Sequence, residues 1–304
     1  MKKLLTLVRR ELMEHRSSWM VAAVFGGLFV LAAVLGVFGL ARVGLNDANI
    51  TVDMLAEQAE LDAVRAVWMV LLVPIAMLFA LVTNFVVLFY LLDSLYAERK
   101  DRSILFWKSL PVSDLQVVGS KYLTGLLAIP ALTVGVFVIT GLALWLIIGG
   151  AMTWAGAGAY MVHGPAALAQ TAVVLVYTFL VMGLWFAPLH GWLLLVSAFA
   201  KRFALGWAVL PLVLAVVAER ILFSTRYFLG WIAERASGGL ELAFSGDQDA
   251  ELMISEGVIS TFPALATFLT PERVLAAPAL WTGLVIGLVL LGGAVWLRRW
   301  RDES

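Results

Sequence analysis

Between residues 93 and 114 the sequence reads DSLYAERKDRSILFWKSLPVSD, with apolar runs on both sides. Asp93, Glu98, Arg99, Lys100, Asp101, Arg102, Lys108 and Asp114 all fall within it. Each Asp, Lys or Arg at the centre of a bilayer costs about 2.5–3.5 kcal/mol, so this segment has to emerge into water. It is not a bare tether. Ile104, Leu105, Phe106, Trp107 and Leu110 interrupt the polar residues, and Pro111-Val112-Ser113-Asp114 carries the stop and start signals of helices. The pattern predicts a short amphipathic helix at the membrane surface, placed to dock against a soluble partner. The alternative is a solvated basic loop that only orients its neighbours. Its length, the Phe106-Trp107 pair and the Pro-Val-Ser-Asp ending favour docking, because the Lys201-Arg202 turn shows how little a charge-only loop needs.

Other chemistry is sparse. The histidines, His15, His163 and His190, are far apart and in no metal-ligand spacing. There is no cysteine, no Gly-Lys pair for a phosphate-binding loop and no Gly-x-Ser-x-Gly nucleophile motif. An enzyme with its own nucleotide, metal or thiol site is therefore poorly supported, and no cofactor is expected on this chain. Asn84 and His190 lie inside apolar runs, where a polar residue is a functional candidate by default. The competing reading for each is a helix–helix hydrogen bond. His190 follows Pro188 and precedes Gly191, so it marks a helix break and a candidate pathway residue.

These residues must be positioned by membrane spans. The 304 residues are 62% hydrophobic and only 14% charged, against about 25% charged in soluble domains. The expectation is an all-α polytopic membrane protein, one transmembrane domain over residues 1–304. A span takes about 20 apolar residues, and six windows qualify: 19–41, 66–92, 122–148, a long one within 167–200 that would be tilted or broken, 203–218 and 278–297. Residues 2–16 mix basic and apolar residues at helical spacing, which predicts an N-terminal interfacial helix rather than a cleavable signal. The plainer alternative is a basic flank that orients the first span. Residues 46–65 would extend the second helix outside the membrane. A long outer loop, 219–277, separates spans five and six; its apolar patches suggest helices dipping back into the bilayer. Most of the 21 Lys and Arg fall on one side if the N-terminus is cytoplasmic, as the positive-inside rule requires. Both termini and the 93–115 loop then face the cytoplasm. Gly283 and Gly287 form a small-residue face on the last span. Net charge is zero, which predicts no nucleic-acid partner.

The order of an interfacial helix, a span, an acidic outer loop, a second span, and then cytoplasmic Tyr96-x-Glu98-Arg99 with Ser109-Leu110-Pro111-Val112-Ser113 resembles the type-2 ABC transporter permeases. The resemblance covers the whole chain in topology and about residues 93–125 in motif. It implies an exporter subunit in the bacterial inner membrane, working as a homodimer or heterodimer with two cytoplasmic ABC ATPase subunits that bind the ATP. It also implies that residues 102–110 are a coupling helix seated on the ATPase, with Glu98 and Arg99 at its approach. The coupling residues would be Glu98, Arg99, Arg102, Phe106, Trp107, Lys108 and Pro111. Residues 2–16 would be the connecting helix, and they would touch the ATPase too. Nearly charge-free spans suit a lipid-like or amphipathic cargo, or a peptide, surrounded by membrane lipid. The alternative class is a membrane-embedded enzyme or assembly factor acting through the outer loop and His190. A stand-alone channel is weaker, because no span carries a ring of acids.

Overall fold

The computed structural model describes residues 2–43, 61–101, 112–154, 159–244 and 268–300. Among them the chain is helical, with one isolated bridge between Phe244 and Leu269. Among the described residues six helices are long and apolar enough to cross a membrane. In chain order the elements are α1 (Lys2–Glu14), α2 (Ser17–Val43) and α3 (Leu61–Lys100). The continuous α4 (Asp114–Trp154) follows, then α5 (Ala159–Trp185), α6 (Ala187–Phe199) and α7 (Ala204–Phe223). Last come α8 (Tyr227–Ala243), α9 (Pro271–Ala276) and α10 (Pro278–Trp300). The all-α polytopic expectation holds.

Local chemistry explains several boundaries. Ser113 caps α4: its hydroxyl accepts from Gln116 N at 3.3 Å, while Gln116 Oε1 accepts from Ser113 N at 3.2 Å. This reciprocal box satisfies two otherwise orphaned donors. Within α4 two single π-helical turns, Thr124–Ala128 and Trp145–Gly149, widen the coil. The fourth predicted span is broken. α5 ends at Trp185, Phe186 leaves helical geometry (φ −85°, ψ 12°), and α6 restarts with Pro188 in its first turn. Proline is tolerated there, since no N–H is needed, but it cannot continue an unbroken ladder from α5. The turn containing Lys201-Arg202 forces Phe203 to φ 52°, left-handed backbone that a side chain adopts only at a cost.

Packing follows membrane rules, with small residues where backbones approach. α6 and α10 make the most extensive helix pair. A Cβ on Gly287 would lie 2.7 Å from Ala187 O, and one on Gly191 would lie 2.7 Å from Gly287 O. Half of the expected small-residue face therefore serves close helix contact. Gly283 does something else, since a Cβ there would run into the Arg235 guanidinium. Three apolar cores stack through the bundle. Trp68, Phe79, Phe137 and Leu168 centre one among α2–α5. Leu91, Val118, Ile129, Leu194 and Ala294 centre a second among α3, α4, α6 and α10. Trp185, Phe186, Ala243 and Leu280 form the third.

The third core has a charge inside it. Arg235 of α8, expected in an outer loop, is 7% exposed. Its guanidinium stacks over Trp185 at 4.7 Å and Trp231 at 5.6 Å. It donates to the carbonyls of Trp185 (3.2 Å) and Ala279, and Trp185 Nε1 donates back to Arg235 O at 3.1 Å. One side chain thus ties α8 to the helix break and to the start of α10. Arg235→Met is expected to lower stability by about 2 kcal/mol, the scale of lost hydrogen bonds from a charged donor. Arg235→Lys should not rescue it, because an ammonium lacks the planar fork and the stacking face. Thermal unfolding of the detergent-solubilised variants checks both.

Candidate coupling site

Five charged side chains meet at one end of the bundle, four of them buried. Lys121 of α4 is 1% exposed. Its Nζ lies 2.9 Å from Glu11 Oε1 of α1 and 2.9 Å from Glu98 Oε1 of α3. Glu98 Oε2 in turn accepts from Arg298 of α10 at 2.6 Å, and Arg298 Nε donates to Asp114 Oδ1 at 3.2 Å. The signs alternate along Glu11–Lys121–Glu98–Arg298–Asp114. The Tyr90 hydroxyl donates to Glu11 Oε2 at 3.0 Å, and His15 lies edge-on against the Tyr90 ring. Each buried charge in this chain of five therefore faces an opposite one, the condition under which charges are tolerated away from water.

Each element supplies its residue by ordinary helix spacing. Glu11 follows Leu4, Leu7 and Val8 by seven, four and three positions, so it lies in the middle of the apolar face of α1. Asp114 and Lys121, seven apart, share one face of α4 just inside its N-cap. Arg298 continues the buried stripe of Leu280, Gly283, Gly287 and Ala294 along α10. Beside the chain, Arg99 donates to the carbonyls of Ser197 and Ala200, where α6 ends. The Ser197 hydroxyl accepts from Leu95 N and Tyr96 N, both at 3.0 Å.

Mechanically the chain clamps α1, α3, α4 and α10 together where α3 ends and α4 begins. Buried ion pairs add little net stability, but separating one partner is costly. Displacing the α3–α4 connection should therefore carry these four helices along rather than shear them. The same contacts place α1, the C-terminal ends of α3 and α10, and the start of α4 at one end of the molecule. Among the described residues, Lys201 and Arg202 lie close by, after the α6 end that Arg99 holds.

The candidate residues from sequence divide into three groups. Glu98 and Arg99 are drawn into the bundle, Glu98 buried between two cations and Arg99 on backbone carbonyls. Arg102, Phe106, Trp107, Lys108 and Pro111 lie outside the described residues, as does the rest of 102–111 within the 93–115 segment. Asn84 and His190, distant in sequence, line one cavity of about 680 Å³ between α3, α4, α5 and the end of α8. Sequence reasoning missed Glu11, Tyr90, Lys121 and Arg298 as site residues. The available signal was one acid at the centre of an apolar helix face, with a lysine and an arginine at the margins of spans. Among the described residues no cluster of His, Asp or Glu could hold a metal ion.

No curated protein and no solved structure matches the chain. A family model does: the one described as ABC-2 family transporter protein matches residues 64–225, from the second span to the end of the fifth. That is more than half of the 304 residues. The six spans and the buried charge chain at the base of the α3–α4 connection thus belong to a protein of the ABC-2 transporter family, the membrane-spanning permease subunit of an ABC transporter.

Proposed function

We propose that this permease transmits the closure of two cytoplasmic ABC ATPase subunits to its spans through the α3–α4 connection. Arg102, Phe106, Trp107, Lys108 and Pro111 would make the docking contact. Glu98 and Arg99 act behind it as positioning residues, because their polar groups face the bundle. The observation that carries this reading is the alternating charge chain at the base of that connection, in a chain of the ABC-2 family. α1 is fastened to the same chain through Glu11, as a connecting helix would be. Both termini face the cytoplasm, in agreement with the basic residues gathered at this end, and the membrane is the bacterial inner membrane. The working unit contains a second permease copy, identical or related.

The cargo is exported and is amphipathic or lipid-like, which the scarcity of charge in the spans and the Asn84–His190 cavity both favour. A peptide remains the other cargo class named by the sequence. The described part of the 219–277 segment turns back toward the bundle: Leu240 and Phe244 line that cavity, and Tyr177 of α5 donates to Ala243 O at 3.2 Å. We read α8 as a helix that re-enters the membrane.

The test is Glu98→Gln in the permease–ATPase complex reconstituted in lipid. The amide keeps the shape, and Lys121 retains Glu11 while Arg298 retains Asp114. The ATPase is expected to co-purify as before, with substrate-stimulated hydrolysis falling about tenfold, equivalent to about 1.4 kcal/mol of coupling. Unchanged stimulation would remove Glu98 from the transmission path.

A further inference from the structure

His190 is 3% exposed, and among the described residues neither Nδ1 nor Nε2 has a hydrogen-bond partner. Tyr122 and Phe186 pack against its ring, each at 6.4 Å and edge-on. A neutral imidazole presents one N–H donor and one bare acceptor nitrogen. Leaving both unpaired in apolar surroundings is costly. The ring borders the 680 Å³ cavity, a volume within the usual range for small-molecule sites.

The rest of the lining narrows what fits. The threonine hydroxyls are already engaged: Thr83 donates to Thr133 Oγ1 at 3.0 Å, Thr171 to Ala167 O at 2.8 Å and Thr178 to Val174 O at 2.8 Å. Asn84, on the same wall as Thr83, makes no hydrogen bond among the described residues. No charged side chain is among the lining residues described. Free hydrogen-bonding capacity is therefore concentrated at His190 and Asn84, in an otherwise apolar chamber. A carboxylate or phosphate would enter without a counter-charge. A bare hydrocarbon would leave the imidazole unpaired. A single hydroxyl reaches only one ring nitrogen, but it donates to a bare nitrogen and accepts from an N–H, so it suits that nitrogen in either tautomer.

We propose that this cavity, within a single protomer, binds an uncharged long-chain alcohol, its hydroxyl on His190 and Asn84 and its tail along α3 and α5. The inference deepens the permease reading by naming the ligand class of the cavity. Its test needs no ATPase, so it can fail or succeed separately from coupling.

The purified chain is placed in phosphatidylcholine nanodiscs with a diazirine-bearing hexadecanol, and photo-crosslinked peptides are mapped by mass spectrometry. Crosslinks are expected within residues 73–87 and 171–183, competed by plain hexadecanol. The matched diazirine palmitate at neutral pH should label at least tenfold less. His190→Leu should reduce alcohol labelling about tenfold, the loss of one hydrogen bond, while leaving labelling by the matched diazirine alkane unchanged. If His190→Leu is not monodisperse, Asn84→Leu and the cavity-filling Ala80→Trp carry the test, and Ala80→Trp should abolish labelling at both stretches. Labelling spread over lipid-facing residues, or equal for alcohol and alkane, overturns the proposal. So does labelling that survives Ala80→Trp. Absence of specific labelling does the same, since the chamber would then hold only water or the chain's own residues.

Discussion

Lys121→Met is expected to destabilise the solubilised protein by about 3–5 kcal/mol, because it strands a buried charge. Glu98 would keep Arg298 at 2.6 Å, but Glu11 would be left with the Tyr90 hydroxyl at 3.0 Å and His15 at 3.9 Å. Glu11 is 5% exposed, so water cannot replace the ammonium without opening the packing of α1. The double variant Glu11→Leu/Lys121→Met should recover most of the loss, since replacing a whole buried pair by apolar residues is often neutral or better. Stability is read as the temperature at which the monodisperse size-exclusion peak halves. Equal losses for the single and double variants would mean that the pairing, as distinct from the volume, contributes nothing. If the clamp also transmits motion, the double variant will be stable yet poorly coupled, which separates the structural role of the chain from its mechanical one.

Gly287→Val should cost about 3 kcal/mol, the upper part of the range for overpacking. The obstacle is the carbonyl of Ala187, part of a helix backbone rather than the end of a flexible side chain. Gly191→Ala meets the same limit from the opposite side, 2.7 Å from Gly287 O. Together the two should cost less than their sum, because the first already forces α6 and α10 apart. Gly292 supplies the control on the same helix. A Cβ there meets nothing within 4 Å, so Gly292→Ala should be neutral or stabilise by up to about 1 kcal/mol through helix propensity. A similar cost at positions 287 and 292 would argue for a general need for backbone flexibility instead of a close crossing.

Much of the architecture was legible because the bilayer imposes a coarse constraint. Stretches of about 20 apolar residues can be counted, and six counted windows became six spans. The cap at Ser113 was legible because a Pro-Val-Ser-Asp run has few other uses. The break in the long fourth window was half legible: Pro188 and Gly191 announced it, but its place at Phe186 depends on how α5 and α6 pack. The role of Glu98 was harder to see. A charged residue at a membrane edge reads as water-facing, and nothing local says that its partners stand at positions 121 and 298. Arg235 looked like a loop charge for the same reason, since Trp185 and the carbonyls of Trp185 and Ala279, all from other elements, accommodate it alongside Trp231 of its own helix.

From the residues alone came what depends on composition and local spacing: the membrane as solvent, the number of spans, the amphipathic α1 and the family resemblance of the loop after the second span. Only the tertiary structure decided which charges neutralise one another, which glycine admits a backbone and which an arginine, and that Asn84 and His190 share one chamber. The reason lies in range. Hydrophobic burial and helix capping act within a few residues of the chain and leave periodic marks, whereas ion pairs and cavities join residues far apart in sequence, up to 200 positions for Glu98 and Arg298, wherever the helices happen to cross.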